Sequence, residues 1–253
     1  MIESLHSPHV ARVKALLSSK KDRQEAGLFV AEGLQGVREA IRNNSIESLY
    51  LTTSGQVRLA KANLDLQGIN IIEISDYVAE AMSDAITSQG IIAVCKLPKH
   101  DKDELGNYQN HHLIFLDEIQ DPGNAGTILR TADAMGIKAI ITSPGSVDFY
   151  SPKVVRATAG SLWHIPVFNN IDLDEVFEIL PSHKRYVLDA SGDLELTRVN
   201  FEEPALWIFG NEARGLKRDV ALAIRVSIKM SGNAESLNLA ASAAIVMHQI
   251  SRG

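Results

Sequence analysis

Six short runs of apolar residues, separated by helical patterns, occupy much of the second half of the chain. The runs are continuous rather than alternating, and a strand that is apolar along its whole length is buried on both faces. This pattern is typical of an open, mostly parallel sheet with helices on both sides, so we expect an α/β fold. The predicted strands cover residues 112–117, 138–142, 165–168, 185–189, 205–209 and 226–228, and the predicted helices cover residues 127–135, 152–159 and 236–250.

The first hundred residues predict a second, smaller α/β unit. Its strands are expected at residues 28–31, 48–51, 69–74 and 91–94, and its helices at residues 8–18, 34–42, 56–62 and 76–83. A polar stretch that contains Pro98 and Gly106 follows, and its composition is typical of a linker. We therefore expect a small domain at residues 1–99, a linker at 100–108 and a larger domain at 109–253. The larger domain should fold without the smaller one.

The distribution of charge limits the ways in which the chain can contact nucleic acid. A net charge of −6 argues against a protein that coats nucleic acid through bulk positive charge. The first 25 residues are nevertheless basic, with five Lys or Arg against three Asp or Glu. This end could contact phosphate groups, and a solvated helix face is the alternative explanation. The candidate phosphate-binding residues are Arg12, Lys14, Lys20, Lys21 and Arg23.

The sequence predicts a cytoplasmic protein that has no membrane span and no metal site. No apolar run reaches the roughly 18 residues of a membrane span, and the N-terminus lacks the charged and apolar regions of a signal peptide. The single cysteine, Cys95, lies in an apolar run, so we expect a buried thiol on a strand rather than a nucleophile. The eight histidines lack the spacing of metal ligands.

The loops that follow the strands are the candidate sites, because ligands of open parallel sheets bind beyond the carboxyl ends of the strands. The first such loop runs from residue 121 into a helix that carries Arg130. Pro122 and Gly123 fix the turn, Gly126 permits a close approach, and Arg130 lies one turn further on the same helix face. The alternative is an ordinary strand–helix junction with a surface arginine.

The second loop covers residues 209–216 and also follows an apolar strand directly. Gly210 and Gly215 flank a short segment that contains Asn211, Glu212 and Arg214. Polar groups at a strand exit are commonly functional, whereas a surface ion pair between Arg214 and Glu212 would be a purely structural explanation.

The third loop leads from the last strand into a helix rich in small residues. Ser236 and Asn238 are expected in the first turn of that helix, and residues 240–244 are nearly all small. Close packing of the helix explains the alanines but does not explain the two polar residues. These two residues are therefore site candidates.

Together, the three loops resemble in order and spacing the signature motifs of SpoU (TrmH-like) methyltransferases, which belong to the SPOUT superfamily of RNA 2′-O-ribose methyltransferases. The resemblance spans about residues 110–252, and a weaker one covers residues 29–33 and the helices around them, which look like the substrate-binding domain that often precedes the catalytic domain. The matching residues are Asn124-x-Gly126-x-x-x-Arg130, Gly210-Asn211-Glu212-x-Arg214-Gly215-Leu216 and Ile228-x-Met230-x-Gly232-x-x-x-Ser236-Leu237-Asn238.

The resemblance implies a fold, a cofactor and an assembly. The fold would be a SPOUT domain, in which the C-terminal segment passes through a loop to form a deep trefoil knot. The cofactor would be S-adenosylmethionine, held largely by backbone groups at Gly210, Ile228 and Leu237. The protein would be a homodimer in which the partner subunit completes each site.

The resemblance also implies that the reaction is methyl transfer to a ribose 2′-hydroxyl. Arg130 is the family's candidate for the central catalytic residue, but a guanidinium with a pKa above about 12 is a reluctant base. We expect Arg130 to clamp the target phosphate and stabilise the oxyanion, while the proton passes to a phosphate oxygen or to water. The residues expected to orient Arg130 and the ribose are Asn124, Glu212, Ser236 and Asn238.

The RNA target and two other functions stay open at this point. The N-terminal module favours ribosomal RNA over transfer RNA, although a tRNA 2′-O-methyltransferase is an alternative. A non-catalytic RNA-binding protein with the same fold is a second alternative, against which the intact motif residues argue. A dinucleotide-binding enzyme would need a Gly-x-Gly-x-x-Gly run after the first strand, and the chain has none.

Overall fold

The computed structural model describes residues 1–217 and 219–252. The chain divides into two compact units: the first comprises Met1–Lys99 together with Asp148–Trp163, and the second comprises His100–Val147 and the chain from His164 onward. The helices are α1 (Pro8–Ser18), α2 (Lys20–Ala26), α3 (Leu34–Arg42), α4 (Thr53–Ala60), α5 (Asp76–Ala81), α6 (Pro122–Ala134), α7 (Pro152–Ala157), α8 (Leu173–Ile179) and α9 (Leu239–Ile250). The strands are β1 (Leu28–Glu32), β2 (Ile46–Leu51), β3 (Ile71–Glu73), β4 (Ile91–Lys96), β5 (Leu113–Leu116), β6 (Ile140–Thr142), β7 (Val167–Asn169), β8 (Lys184–Leu188), β9 (Leu194–Glu195), β10 (Ala205–Phe209) and β11 (Ile224–Ser227).

The first unit contains a four-stranded sheet in the order β1-β4-β2-β3. Strand β4 is antiparallel to both of its neighbours, whereas β2 and β3 are parallel. The predicted helix at residues 8–18 is found as α1, and a further helix, α2, follows at once. Ser19 explains the break, because it adopts extended geometry at the end of α1 and its side chain accepts a hydrogen bond from Asp22 N at the start of α2.

Residues 148–163 lie in the second half of the sequence but pack in the first unit. The ring centroid of Tyr150 lies 5.2 Å from that of Phe29 on β1, and the indole of Trp163 donates a hydrogen bond to Ser45. Arg156 on α7 forms ion pairs with Glu32 and with a second carboxylate of this unit. The apolar side chains of the segment that are at most 6% exposed are Phe149, Tyr150, Val154, Val155 and Leu162.

Arg23 does not belong to the phosphate-binding set that the sequence suggested. Its side chain is only 5% exposed and forms an ion pair with Asp148 at 2.6 Å. The guanidinium also donates a hydrogen bond to the backbone oxygen of Leu16. The basic composition of the N-terminal segment could not reveal this internal role. The surface candidates that remain are Arg12, which pairs with Glu47, and the exposed Lys14, Lys20 and Lys21.

The second unit contains a seven-stranded sheet in the order β7-β6-β5-β10-β8-β11-β9, and every neighbouring pair is parallel. Strand β10 at its centre is buried along its whole length, as its continuous apolar sequence predicted. The α/β class and the mostly parallel sheet are thus confirmed. Helix α8 and strand β9 were not predicted, although the capping box of Asp172 and Glu175 signals the start of α8.

The two helices that carry site residues begin at different positions from those predicted. Helix α6 starts at Pro122 instead of residue 127, because Asp121 caps it and proline presets the backbone of the first turn. Helix α9 starts at Leu239 instead of residue 236, because the side chain of Asn238 accepts hydrogen bonds from the first backbone N–H groups. Asn124 therefore lies in the first turn of α6, and Asn238 is the N-cap of α9. No helix within the described part of the chain is both long and apolar enough to cross a membrane.

Candidate active site

Four neighbouring strands bring the candidate loops together at one edge of the sheet. Strands β5, β10, β8 and β11 are adjacent in that order and parallel, so their carboxyl ends face the same edge. The first loop follows β5, the second follows β10, and the third follows β11. This is the edge at which parallel α/β sheets bind their ligands.

The side chain of Asn124 links the three loops. Its Nδ2 donates a hydrogen bond to Glu212 Oε1 at 3.3 Å, and its Oδ1 accepts one from Asn238 Nδ2 at 3.0 Å. One residue of each predicted motif thus takes part in a single chain of hydrogen bonds.

Glu212 also binds the backbone of the first loop. Its carboxylate accepts hydrogen bonds from Asp121 N at 3.2 Å and from Gln120 N at 3.4 Å. These donors lie at the N-terminal end of α6, where the helix dipole favours a negative charge. The carboxylate therefore holds the second loop against the first.

Gly210 starts a loop that closes tightly on itself. Asn211 and Gly215 exchange two backbone hydrogen bonds, of 3.0 and 2.9 Å. A Cβ atom on Gly210 would lie only 2.4 Å from the carbonyl carbon of Gly215, so no other residue fits. The buried side chain of Asn211 fixes the same loop from within, since its Oδ1 accepts hydrogen bonds from Ala213 N and Arg214 N.

Glu118 is a site residue that the sequence interpretation missed. It follows β5 in a left-handed conformation, with φ of 49°, and its backbone oxygen accepts a hydrogen bond from Asn211 Nδ2 at 2.8 Å. Its carboxylate binds Lys217 at 2.7 Å and Arg214 at 2.8 Å. The hydrogen bond from Lys217 is the main reason that the pKa of Glu118 is lowered. Arg214 thus pairs with Glu118, and not with Glu212 as the alternative explanation supposed.

A cavity of about 210 Å³ lies beside this network. Its lining includes the residues predicted to hold a cofactor, Gly210, Ile228 and Leu237. Much of the remaining wall is apolar, with polar contributions from Asp189, Asn211, Glu212, Ser236 and Ser242. An apolar lining with a few polar groups is typical of a pocket for a small organic ligand.

Asp189 is held in place at the wall of the cavity. Its carboxylate accepts hydrogen bonds from the backbone and the hydroxyl of Ser191, and these lower its pKa. It also forms an ion pair with Arg225, which binds Asp219 as well. Asp189 is therefore a fixed negative charge at the wall of the cavity.

Arg130 and Ser236 are not joined to the network. Arg130 lies exposed on α6 and makes no hydrogen bond or ion pair with the residues that the structure describes. It lies six residues after Asn124, so the two side chains point to different faces of the helix. Ser236 lines the cavity, but its hydroxyl has no hydrogen-bond partner among residues 1–217 and 219–252. The expected contact of Arg130 with the orienting residues is absent within this part of the chain.

Two further features concern groups outside the cavity. Cys95 on β4 is fully buried, as predicted, and burial raises its pKa to about 12, so the thiol is unreactive. Among the described residues, no group of three or more His, Cys, Asp or Glu side chains is arranged to hold a metal ion.

The chain belongs to the SpoU rRNA methylase family, whose model matches residues 111–248. A model named MRM3-like substrate binding domain matches residues 8–93. The family membership that the three motifs indicated is thus confirmed, and so is the presence of an N-terminal domain of the substrate-binding type.

Similar proteins match along nearly the whole chain. The 23S rRNA (guanosine(2553)-2′-O)-methyltransferase RlmP of Bacillus subtilis is 31% identical over 98% of this chain and 98% of its own length. The 23S rRNA (uridine(2479)-2′-O)-methyltransferase of Streptomyces viridochromogenes is 29% identical over 94% of this chain and 88% of its own length.

Two solved structures closely resemble that of this chain. The AdoMet-bound rRNA methyltransferase of Sinorhizobium meliloti has a TM-score of 0.85 and 27% identity, covering 99% of this chain and 97% of that one. The SpoU methyltransferase AviRb of Streptomyces viridochromogenes, in complex with AdoMet, has a TM-score of 0.84 and 25% identity, covering 98% of both chains.

Proposed function

We propose that this protein transfers a methyl group from S-adenosylmethionine to a ribose 2′-hydroxyl of ribosomal RNA. The observation that carries the proposal is the hydrogen-bonded chain of Asn124, Glu212 and Asn238 at the edge of the cavity. The names of the relatives bear out the enzyme class that the sequence indicated, and the AdoMet-bound neighbours bear out the cofactor.

The cavity fits S-adenosylmethionine, which supplies an activated methyl group when bound. Gly210 leaves no space for a side chain, so its backbone forms part of the wall at the closest approach of the loop. Ile228 and Leu237 line the same cavity and offer apolar contacts and backbone hydrogen bonds. These three residues are the proposed cofactor-binding residues.

Arg130 and the polar residues in and beside the cavity act on the RNA. A ribose hydroxyl is a poor nucleophile, and its oxygen becomes more negative as the proton leaves. Arg130 would clamp the target phosphate and stabilise that charge, since its guanidinium stays protonated. The proton would pass to a phosphate oxygen or to water. Asn124, Glu212, Ser236 and Asn238 would position the ribose.

Recognition of the RNA is assigned mainly to the first unit. The 2′-hydroxyl is common to all ribonucleotides, and the two relatives named above modify different bases, so the three motifs need not read the base. The match of residues 8–93 to a substrate-binding domain supports this division of labour. Exposed Lys14, Lys20 and Lys21, with Arg12, would contact phosphates.

The isolated position of Arg130 supports a homodimer in which each subunit completes the other's site. Arg130 has no partner among the described residues of its own chain, although the proposed reaction requires it beside the ribose. In a dimer, Arg130 would serve the network of the partner subunit. Apolar side chains on or beside α9, namely Leu237 and Ile245, are 39% and 37% exposed and would contribute to the interface.

Two finer properties are also part of the proposal. The C-terminal segment would form the trefoil knot of SPOUT proteins, and the hydrogen bond from Asn238 back to Asn124 supports its passage beside the first loop. The protein would act in the cytoplasm, where its bacterial relatives would meet ribosomal RNA.

The experiment compares purified wild-type protein with Arg130→Ala and Arg198→Ala. Each protein is mixed with labelled S-adenosylmethionine and rRNA from cells that lack the gene, and the 2′-O-methyl position is mapped. Arg130→Ala should reduce the rate by about 10²–10³ while retaining cofactor affinity, because it removes one charged stabiliser. Arg198 is an exposed arginine outside the motifs, so its replacement should change nothing.

A mixing experiment separates the dimer proposal from the reaction. When Arg130→Ala and Asn124→Ala subunits are mixed and allowed to exchange, a mixed dimer has one site with both residues intact only if Arg130 acts across the interface. Activity should therefore return if Arg130 acts across the interface. No recovery from exchanged subunits would place Arg130 in its own chain's site. Wild-type protein that neither binds the cofactor nor methylates rRNA would refute the proposed function.

A further inference from the structure

Ser242 is a buried polar residue on the otherwise apolar inner face of α9. The buried residues of this helix are Ala240, Ser242, Ala243, Val246 and Met247. Ser242 is only 7% exposed. It lies outside the residues that the three motifs assign to the cofactor, and packing alone would favour alanine at such a position.

The hydroxyl of Ser242 has no hydrogen-bond partner within residues 1–217 and 219–252. A helical serine commonly bonds to the carbonyl four residues earlier, which here belongs to Asn238. That carbonyl accepts the backbone N–H of Ser242 at 2.9 Å, but the side chain is not bonded to it. The hydroxyl is not among the fully buried unpartnered polar atoms of the described residues, so it is accessible from the cavity that Ser242 lines and is free to bond to a ligand there.

The cavity supplies the place for that ligand, because Ser242 lines it together with Gly210 and Ile228. Ser242 lies four residues beyond Asn238, which is about 6 Å along the helix axis, away from the polar network. The cavity wall combines the apolar Leu188, Phe209 and Leu237, which suit a flat, uncharged ring, with the carboxylates of Asp189 and Glu212, which suit hydroxyl or ammonium donors.

We infer that Ser242 is a cofactor-binding residue whose hydroxyl bonds to the nucleoside half of S-adenosylmethionine. This inference rests on the proposed function. The hydroxyl both donates and accepts, so it can pair with either type of atom on the adenine edge or the ribose. The charged amino-acid half would then lie nearer the polar residues Asn124 and Glu212.

The test uses full-length wild-type, Ser242→Ala and Ser251→Ala proteins. Ser251 ends the same helix, and its hydroxyl already donates to the backbone oxygen of His248 outside the cavity, so it is the matched control. Each protein is titrated calorimetrically with S-adenosylmethionine, S-adenosylhomocysteine and 5′-methylthioadenosine, which lacks the amino-acid half. The thermal unfolding of each ligand-free protein is also measured.

Ser242→Ala should weaken binding of all three ligands by a similar factor of about 2 to 12, the usual contribution of one hydrogen bond. The same variant should unfold at a higher temperature without ligand, because it breaks no hydrogen bond within the described residues and places a better helix former in α9. Ser251→Ala should bind as wild type does. A serine with a merely structural role would instead lower the unfolding temperature and leave the affinities unchanged.

Two results would overturn the inference. One is wild-type affinity of Ser242→Ala for all three ligands. The other is a loss for the two amino-acid-bearing ligands but not for 5′-methylthioadenosine, which would place the hydroxyl at the wrong end of the cofactor. Failure of wild-type protein to bind any of the three would refute the proposed function itself, and this assignment with it.

Discussion

A chain that begins at residue 106 should fold poorly, although the second half of the sequence contains all three motifs. Residues 148–163 pack in the first unit, so truncation removes the surface that covers them. The sequence interpretation expected the larger domain to be independent. The structure gives the opposite expectation, because the apolar side chains of this segment would be left in water.

The size of the effect follows from the five side chains that are at most 6% exposed in the full chain, Phe149, Tyr150, Val154, Val155 and Leu162. Burying one such side chain contributes about 1.5–3 kcal/mol, so together they represent about 8–15 kcal/mol of lost burial. The two aromatic side chains alone expose about 300–500 Å², an area comparable with the largest apolar patch of a typical monomer. The truncated chain can recover this burial only by binding other molecules, so it should aggregate.

The assay is size-exclusion chromatography with light scattering, together with binding of a hydrophobic dye. Trp207 is fully buried in the sheet of the second unit, so in a Trp163→Phe background its fluorescence reports whether that sheet forms. The matched variant is the same truncated chain with serine at the five apolar positions. This variant should elute as a species of lower molar mass and should bind less dye. A monodisperse truncated chain without dye binding would refute the reasoning.

Two other predictions concern RNA binding and pH. Replacing Lys20 and Lys21 with glutamine should make the affinity for target RNA less dependent on salt concentration. The slope of log affinity against log salt should fall by about 0.7 for each phosphate of single-stranded RNA that is no longer neutralised, whereas the control Lys61→Gln should leave the slope unchanged. Equal slopes for all proteins would show that α2 does not contact the RNA. The pKa of His183 is lowered, mainly because the side chain is buried, so the folded chain favours the neutral imidazole. The burial of neutral His183 therefore contributes its full stability above about pH 6.5, and this contribution is lost as the pH falls toward the pKa of the folded state. Urea unfolding between pH 7.5 and 5 should therefore show a smaller acid loss for His183→Gln than for wild type or the exposed-site control His6→Gln, and parallel curves would contradict the assignment.

The strands and several helices could be predicted because their signals are local. A continuous apolar run gives a buried strand regardless of what covers it, and β10 is the clearest case. The position of residues 148–163 depends on which surface their apolar side chains pack against. That packing is set by tertiary contacts, so no local sequence pattern predicts it. Arg23 illustrates the same limit, since a buried arginine and a surface arginine look identical in the sequence.

Some features of the site could likewise be predicted from the sequence, and others could not. The resemblance of the motifs made Gly210 and Asn124 candidates, and the structure shows a tight loop at Gly210 and a hydrogen bond between Asn124 and Glu212. Glu118 was missed because its role comes from a left-handed backbone and two cations that are about a hundred residues away in the sequence. The start of α9 was misplaced because Ser236 and Asn238 are both good N-cap residues, and only the hydrogen bonds decide between them.

The chemical nature of Asn124 explains how three separate segments are held in one arrangement. An amide both donates and accepts, so Asn124 can donate to Glu212 and accept from Asn238 at the same time. A carboxylate at this position would face the charge of Glu212 and lack the donor, and an apolar side chain would leave both partners unpaired. Each of these hydrogen bonds contributes only about 0.5–1.5 kcal/mol to stability, and Glu212 and Asn238 are exposed to solvent. Strands β5 and β10 beneath the site are buried along their whole length and stabilise the fold, so the cost of changing Asn124 should fall on the geometry of the site rather than on folding.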